Sequence, residues 1–369
     1  MKIVITGAHG FLGWHTRVRL HALTDHEVVP VGRDNFNELP DLFQNVDAVI
    51  HIAGINRASD DEVEDGNSRL AEQVGEAVVA AGRSPRIIFA NSTQAGNGTP
   101  YGTGKQAASK VLAAVAEEVG AHFVDVQLPN IFGEHGRPYY NSFVATFVDS
   151  VIKAVPPNIT DREVELLHVQ SAAQCLIDAL VTAESQLAPA GKLTTVQDVY
   201  EKLQSFRQTY ESGDIPPLLS QFDVDLFNTL RAAMFPDYYP IALTTHADNR
   251  GRLVETVRAH GGQGQTFVST TRPGVTRGDH FHLGKVERFV VLSGKARISL
   301  RKVLTEDAVS FEVNGDQPVI VDMPTMWVHN ITNTGDTEVV TLFWTHTLFD
   351  PGDPDTYWEP VAIDAKASA

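Results

Sequence analysis

The sequence predicts two folds in tandem: an α/β doubly wound parallel sheet over residues 1–244, then an all-β sandwich or barrel over residues 245–369. Two observations carry this. In the first part, short β-rich runs alternate with segments of helical apolar spacing, which is the pattern of crossover units in a parallel sheet. From about residue 245, short strand patterns follow one another closely, separated by turn signals such as "RPG", "NGD" and "NTGD".

The elements follow in order. "KIVIT" is a strand and "FLGWHTRVRLHAL" has helical spacing. "HEVVPV" and "VDAVIHIAG" are strands, and "VEDGNSRLAEQVGEAVVAAG" is a long helix ending at Gly82. "PRIIFANS" and "HFVDVQLP" are strands flanking the helix "GTGKQAASKVLAAVAEEVG". Residues 151–240 read as helices and loops, with "DLFNTLRAAMF" helical, and "FPDYYPIALTTHADN" bridges to the second fold. There the strand candidates are "GRLVETVRA", "GQTFVSTT", "VERFVVLSG", "KARISLRKV", "AVSFEV", "QPVIVDM" and "EVVTLFWTH". The tail "DAKASA" is expected to fray.

Composition narrows the function. The chain has 369 residues, 43% hydrophobic and 20% charged, enough to bury a large core without covalent staples. A formal net charge of −17 argues against nucleic acid or an anionic membrane as the main partner. It leaves room for an anionic small molecule in a locally positive pocket. Cys175 is the single cysteine, so no intrachain disulfide forms, and its helical apolar context predicts an inert core thiol. The apolar run in "MKIVITG" is too short for a signal peptide, and no stretch approaches 18 apolar residues. A cytoplasmic protein without membrane insertion is expected.

Two motif groups carry chemistry. In "TGAHGFLG", Gly7, Gly10 and Gly13 follow a strand and open a helix, where backbone N–H groups can cradle a pyrophosphate. In "YGTGK", Tyr101 and Lys105 stand at i, i+4 and share one helix face. A neighbouring ammonium would favour the Tyr101 phenolate and suit it to proton transfer. Upstream, "IIFANST" ends a strand with Ser92 and Thr93, whose hydroxyls could hold a reacting oxygen. After the second strand, Arg33 precedes Asp34. A basic residue there tolerates a 2′-phosphate and an acidic one binds a ribose hydroxyl; NADPH through Arg33 is the expectation.

On "TGAHGFLG", "VDAVIHIAG", "NSTQ", "YGTGK" and "QLPNIFG", the first 170 residues or so resemble the nucleotide-sugar branch of the extended short-chain dehydrogenase/reductase family. The resemblance implies a Rossmann-type sheet. Gly7, Gly10, Phe11, Leu12 and Gly13 would hold the cofactor pyrophosphate, and Asp47 would open the strand leading to Ala53 and Gly54 beside the cofactor. Asn67, Lys105 and Asn130 would complete the cofactor site. Ser92, Tyr101 and Lys105 would form the catalytic triad, with Ser92 aligning better than Thr93. "LLHVQSAA" departs from the family pattern by having Gln170 and Ser171 where an acidic residue is usual. In "FGEHGRPYYNS", Arg137, Tyr139 and Asn141 are candidate substrate contacts, with Arg137 on a diphosphate.

The second group is His280, His282 and Glu287 between Gly274 and Gly294, followed by Pro324, His329 and Asn333 in "MPTMWVHNITN". Period-2 spacing puts His280 and His282 on one strand face. Both stretches resemble the cupin family, although Met326 stands where a glycine is usual. The resemblance implies an all-β cupin barrel (jelly-roll) in which His280, His282, Glu287 and His329 bind a divalent metal. Three imidazoles and a carboxylate suit zinc, iron, manganese or nickel; zinc is the expected ion.

The order of the two parts resembles that of bifunctional capsular-polysaccharide synthesis enzymes. That family implies C3 epimerisation in the cupin domain and NADPH-dependent C4-keto reduction in the reductase domain. The substrate would be a UDP-2-acetamido-2,6-dideoxy-hexos-4-ulose. The product would be a UDP-2-acetamido-2,6-dideoxy-L-talose, toward UDP-N-acetyl-L-fucosamine. His282, Lys285 and His346 are candidate epimerase acids and bases, and a homodimer is expected. Two alternatives remain open: a reductase whose cupin only dimerises, and a non-catalytic NADP(H)-sensing regulator.

Overall fold

The structure, a computed structural model, describes residues 1–362; the "DAKASA" tail lies outside them. By contacts the chain forms two compact units. One is Met1–Thr146 with Ile159–Asp198, and the other is Phe147–Asn158 with Val199 onward.

In chain order the first stretch contains β1 (Lys2–Thr6), α1 (Phe11–Leu23), β2 (Glu27–Val31), α2 (Leu39–Leu42), β3 (Ala48–His51) and α3 (Asp60–Ala80). There follow β4 (Arg86–Ser92), α4 (Pro100–Val119), β5 (Phe123–Leu128), β6 (Asn130–Phe132), α5 (Phe143–Lys153), β7 (Glu163–His168), α6 (Val169–Asp178), β8 (Gln186–Leu187) and β9 (Lys192–Thr195). Six strands form one sheet in the order β2-β1-β3-β4-β5-β8, and every pair is parallel. Strand alternation explains its two covered faces. Ile3 and Ile5 join Leu12 and Leu20 of α1 and Leu176 of α6 on one side. Val4 joins Val74 and Val78 of α3 and Leu112 of α4 on the other. Each such buried side chain contributes roughly 1.5–3 kcal/mol, so apolar burial holds helices against both faces of the sheet. The strand order reverses between β1 and β3, and a crevice opens at such a switch point. A small sheet, β6-β7-β9, had no sequence signal.

The second stretch contains α7 (Val196–Tyr210), α8 (Gln221–Met234), β10 (Ile241–Ala242), β11 (Thr245–Asp248), β12 (Gly251–Val254), β13 (Gln265–Thr271), β14 (Thr276–Phe281) and β15 (Glu287–Ser293). It continues with β16 (Lys295–Lys302), β17 (Ala308–Asn314), β18 (Val319–Met323), β19 (Trp327–Asn333), β20 (Val339–Thr345) and β21 (Tyr357–Trp358). Two five-stranded antiparallel sheets, β10-β18-β15-β20-β13 and β17-β16-β19-β14-β21, share one core. Phe289, Val321 and Phe343 come from the first, and Ile298, Leu300 and Ile331 from the second.

The compact units part earlier than the boundary expected at residue 245, because α7 and α8 pack with the β strands. Tyr210 Oη donates to Asp322 Oδ2 (2.6 Å), and Arg288 grips the same carboxylate through Nε (2.8 Å) and Nη2 (2.9 Å). Arg231 of α8 donates to the Met323 carbonyl (3.1 Å). Arg288 and Asp322 are fully buried, and breaking such a pair typically costs about 3–5 kcal/mol. No local periodicity encodes that choice of partner.

Candidate functional sites

The glycine turn lies at the switch point. Gly7 follows β1 with φ +70°, and a Cβ there would stand 2.8 Å from the Ala53 nitrogen just beyond β3. A Cβ on Gly13 would fall 2.1 Å from the Gly7 carbonyl oxygen, so strand and helix meet closely only with glycine at both. Gly10 N–H closes the turn onto the Gly7 carbonyl (3.0 Å). The first turn of α1, with Phe11, Leu12 and Gly13, has no side-chain cap and no acidic residue. That fits an anion at the helix start.

Other expected cofactor residues have structural partners. Asn67 is buried; its Nδ2 donates to the Val63 (2.6 Å) and Ile55 (2.7 Å) carbonyls, and its Oδ1 accepts the Ile55 N–H (3.1 Å). It thereby fixes the loop that begins at Ala53 and Gly54. Asp47 accepts the Lys2 N–H (2.7 Å), locking strand register, and Asn130 Nδ2 donates to the Glu165 carbonyl (3.3 Å). Arg33 and Asp34 are both exposed after β2. The sequence reading missed two basic neighbours. The His9 ring lies against Gly32, and Arg17 Nη1 is 3.4 Å from His9 Nδ1. Burial lowers the Arg17 pKa from its ordinary value.

Thr99 caps α4 by accepting the Gly102 N–H (3.1 Å), and Pro100 occupies its first turn. This start places Tyr101 beside the end of β4. A Cβ on Gly104 would stand 2.7 Å from the Glu64 carbonyl, so this glycine lets α4 approach α3. Ser92 is buried and hydrogen-bonded to the Tyr101 side chain, whereas Thr93 is exposed. Burial raises the Tyr101 phenol, and the Ser92 bond opposes that shift. The expected lowering of the phenol by Lys105 is therefore not what the structure shows. Burial pulls the Lys105 ammonium itself down to about 7, with Asp125 opposing. Its Nζ donates to the Ala90 carbonyl (2.6 Å) and lies 4.1 Å from the centre of the Phe89 ring.

Arg137, Tyr139 and Asn141 lie on an exposed loop. Arg137 faces the Tyr140 ring at 5.3 Å. Arg57, which carried no motif signal, faces that ring at 5.7 Å and donates to the Tyr139 (2.5 Å) and Tyr140 (3.1 Å) carbonyls. Gln170 is buried against His15 Nδ1 (2.8 Å). His168 pairs with buried Glu134 (3.0 Å); burial works against that carboxylate, yet His168 and His15 hold it at about 2. Cys175 packs against the sheet core, where burial and Asp178 push its thiol up to about 11.

In the second unit, His280, His282, Glu287 and His329 converge, each offering a ligand atom within 4.8 Å of the others. Gly278 (φ +105°) and Asp279 (φ +59°) interrupt the β14–β19 register, a bulge that brings His280 opposite His329. His282 lies one residue beyond the end of β14, so strand alternation alone does not orient it. Met326 takes φ +60°, the conformation for which a glycine is usual, and is fully buried.

The donor set fits a cation. His329 Nδ1 lies 3.0 Å from the Trp327 carbonyl, and His282 Nδ1 bonds the Asp355 carbonyl. A carbonyl only accepts, so both Nδ1 atoms carry hydrogen. Both Nε2 atoms then face Glu287 Oε2 at 3.1 Å. With neutral rings that would set lone pairs against a carboxylate, and a divalent ion between them satisfies all three. Burial works to raise the Glu287 carboxyl, and a hydrogen or positive charge at the His282 and His329 Nε2 positions, the place the ion would take, holds it well below the usual range. Burial pulls His280 down to about 3, and its Nδ1 is buried without a partner. Among the remaining acid–base candidates, Lys285 Nζ donates to the Pro354 carbonyl (2.6 Å), and His346 Nδ1 accepts the Val286 N–H (3.0 Å).

A model of the NAD dependent epimerase/dehydratase family matches residues 3–189, and one of the polysaccharide biosynthesis C-terminal domain matches residues 246–357. The chain is 34% identical to a UDP-2-acetamido-2,6-beta-L-arabino-hexul-4-ose reductase from Pseudomonas aeruginosa, over 97% of this chain and 98% of that protein. Among solved structures it resembles the capsular polysaccharide assembling protein CapF from Staphylococcus aureus. There the TM-score is 0.63 at 30% identity, covering 98% of this chain and 100% of that one. A UDP-N-acetylglucosamine 4-epimerase from Methanobrevibacter ruminantium M1 shares the fold over 63% of this chain and 98% of its own, with TM-score 0.54 and 17% identity. Among the described residues, no helix is long and apolar enough to cross a membrane.

Proposed function

Because this chain belongs to the NAD dependent epimerase/dehydratase family, we propose that it is a bifunctional nucleotide-sugar enzyme. It inverts C3 of a UDP-2-acetamido-2,6-dideoxy-hexos-4-ulose and reduces its C4 ketone. The product is a UDP-2-acetamido-2,6-dideoxy-L-talose, on the route to UDP-N-acetyl-L-fucosamine for surface polysaccharide. The observation that carries the reading is Ser92 bonded to Tyr101 one helical turn from Lys105, in a chain alike over nearly its whole length to a hexul-4-ose reductase.

NADPH, when bound, supplies the hydride for C4. The chain's own residues do the rest. The raised Tyr101 phenol stays protonated at neutral pH and gives its proton to the C4 oxygen. Ser92 hydrogen-bonds the same region and orients the phenol. Lys105, buried with a pKa of about 7, takes or releases a proton without a large change in pH. Arg33, with His9 and Arg17 nearby, suits a 2′-phosphate and supports NADPH over NADH.

In the second unit, His280, His282, Glu287 and His329 would hold a divalent ion, for which zinc is our choice. That ion, when bound, supplies Lewis acidity for a ketone oxygen, which acidifies the adjacent C3 proton. The strand order β13-β20-β15-β18 over β14-β19-β16-β17 is that of a jelly roll, and it supports the cupin reading. Both reactions use one ketone, which gives a chemical reason for a single chain to carry both motifs. Strand β13 is an open sheet edge with Phe267 and Val268 exposed, and it supports a homodimer through this unit.

The test is product analysis by NMR in deuterated buffer, with NADPH and UDP-4-keto-6-deoxy-N-acetylhexosamines. The L-talo product with deuterium at C3 is expected. Reduction with the C3 proton retained would leave a reductase alone, and an unreduced sugar would sink the assignment.

A further inference from the structure

The chain near its C-terminus closes over the histidine cluster, although no motif marks it. Asp355 accepts three successive N–H groups with one carboxylate: Leu283 at Oδ1 (2.8 Å), and Gly284 (3.0 Å) and Lys285 (2.8 Å) at Oδ2. These are the three residues directly after His282. The backbone carbonyl of the same Asp355 bonds His282 Nδ1. Lys285 ties the segment from the other side, with Nζ on the Pro354 carbonyl (2.6 Å), Thr356 Oγ1 (3.3 Å) and the Asp355 carbonyl (3.4 Å). Immediately beyond, β21 pairs Tyr357 with Phe281 and Trp358 with His280.

We propose that Asp355 is a positioning residue that sets the tautomer and direction of His282 for a divalent ion. This rests on the metal reading above. The Asp355 carbonyl keeps the hydrogen on His282 Nδ1 and so leaves the Nε2 lone pair for the ion. The Asp355 carboxylate fixes the distance between that carbonyl and the imidazole, because it holds the loop that carries His282 by three backbone donors. One residue thus grips the ligand through its main chain and the ligand's loop through its side chain. A carboxylate is required: it presents acceptors only, and three N–H groups converge on it. An asparagine would turn its NH2 toward at least one of those donors. Asp355 has φ +40°, and asparagine tolerates that backbone as aspartate does. The substitution Asp355→Asn therefore tests the carboxylate rather than the turn.

The experiment titrates the metal-free full chain with cobalt(II), read by its visible absorption, and with zinc(II) against a chromophoric chelator. Asp355→Asn is expected to weaken ion affinity by about 10–100-fold and to change the cobalt spectrum, in an ion-free protein whose melting temperature falls but which is still folded at the titration temperature. Lys285→Met, which frees the same segment from its other side, is expected to shift affinity in the same direction by less. Wild-type affinity and spectrum in both variants would overturn the proposal, as would a wild-type cobalt spectrum in variants whose affinity falls only in step with their ion-free melting temperature. A wild-type protein that binds neither ion would remove the metal reading itself, which is a separate result.

Discussion

Lys105 and Glu287 are both buried ionisable groups at the centre of a proposed site, and their surroundings treat them oppositely. Lys105 meets a carbonyl oxygen and an aromatic face, and burial pulls it to about 7. Glu287 meets the Nε2 atoms of two imidazoles at 3.1 Å, and with equal seclusion from water its charge is balanced there only by a hydrogen or a cation at those atoms. Burial disfavours charge at both places, and the neighbours decide the outcome. The parallel-sheet unit thus keeps a charge that can be given up near neutral pH, as proton chemistry requires. The β unit keeps a fixed anion that calls for a cation.

The sharpest way to break this comparison is Tyr101→Phe. It is expected to lower NADPH oxidation with the 4-keto sugar by about 10²–10⁴-fold while leaving C3 deuterium exchange intact. Loss of exchange as well would mean that the two units do not act separately. Next, Glu287→Gln removes the fixed anion. Ion affinity should fall by more than the about 100-fold ceiling for a supporting residue, and C3 exchange should vanish with NADPH binding retained. Exchange that survives at full rate would put the epimerase chemistry elsewhere.

A subtler test uses the sign of the Lys105 shift. Its folded pKa of about 7 lies below the unfolded value of roughly 10.4, so the unfolded chain binds more protons in between. Stability must rise with pH across that window, by up to about 1.4 kcal/mol per unit. Urea midpoints of wild type and Lys105→Met from pH 7 to 9 should show the wild type gaining on the variant. Parallel curves would mean that Lys105 is not the buried cation described here. The smallest effect is expected of Arg33→Ala. It should raise KM for NADPH by roughly tenfold, the loss of one charge-assisted contact, and leave KM for NADH unchanged. Equal changes for both would make Arg33 a general surface cation.

Much of both sites was legible because their motifs are local. The glycine turn needs residues three apart, "YGTGK" needs one helical turn, and "HFHLGKVE" needs one strand and the loop beyond it. Each spacing maps directly onto backbone geometry, and the expected helix "FLGWHTRVRLHAL" is the one observed. Even the missing glycine at Met326 was visible, although only the structure shows that methionine takes the unusual backbone conformation. What the sequence hid involves partners far apart in the chain. Asp355 lies 73 residues from His282 in a segment whose composition reads only as loop. Arg57 meets Tyr140 across 83 residues.

By itself, then, the sequence determined which chemical groups are present and how each is spaced along its own strand or helix, because local periodicity carries that information. Tertiary structure decided the state those groups are in. It buried Lys105 until its charge became adjustable, engaged Asn67 in clamping a loop, and drew α7 to the β sheets through Tyr210 and Asp322 and α8 through Arg231 and the Met323 carbonyl. Desolvation and long-range hydrogen bonds set those outcomes, and both depend on which distant residues the fold brings together.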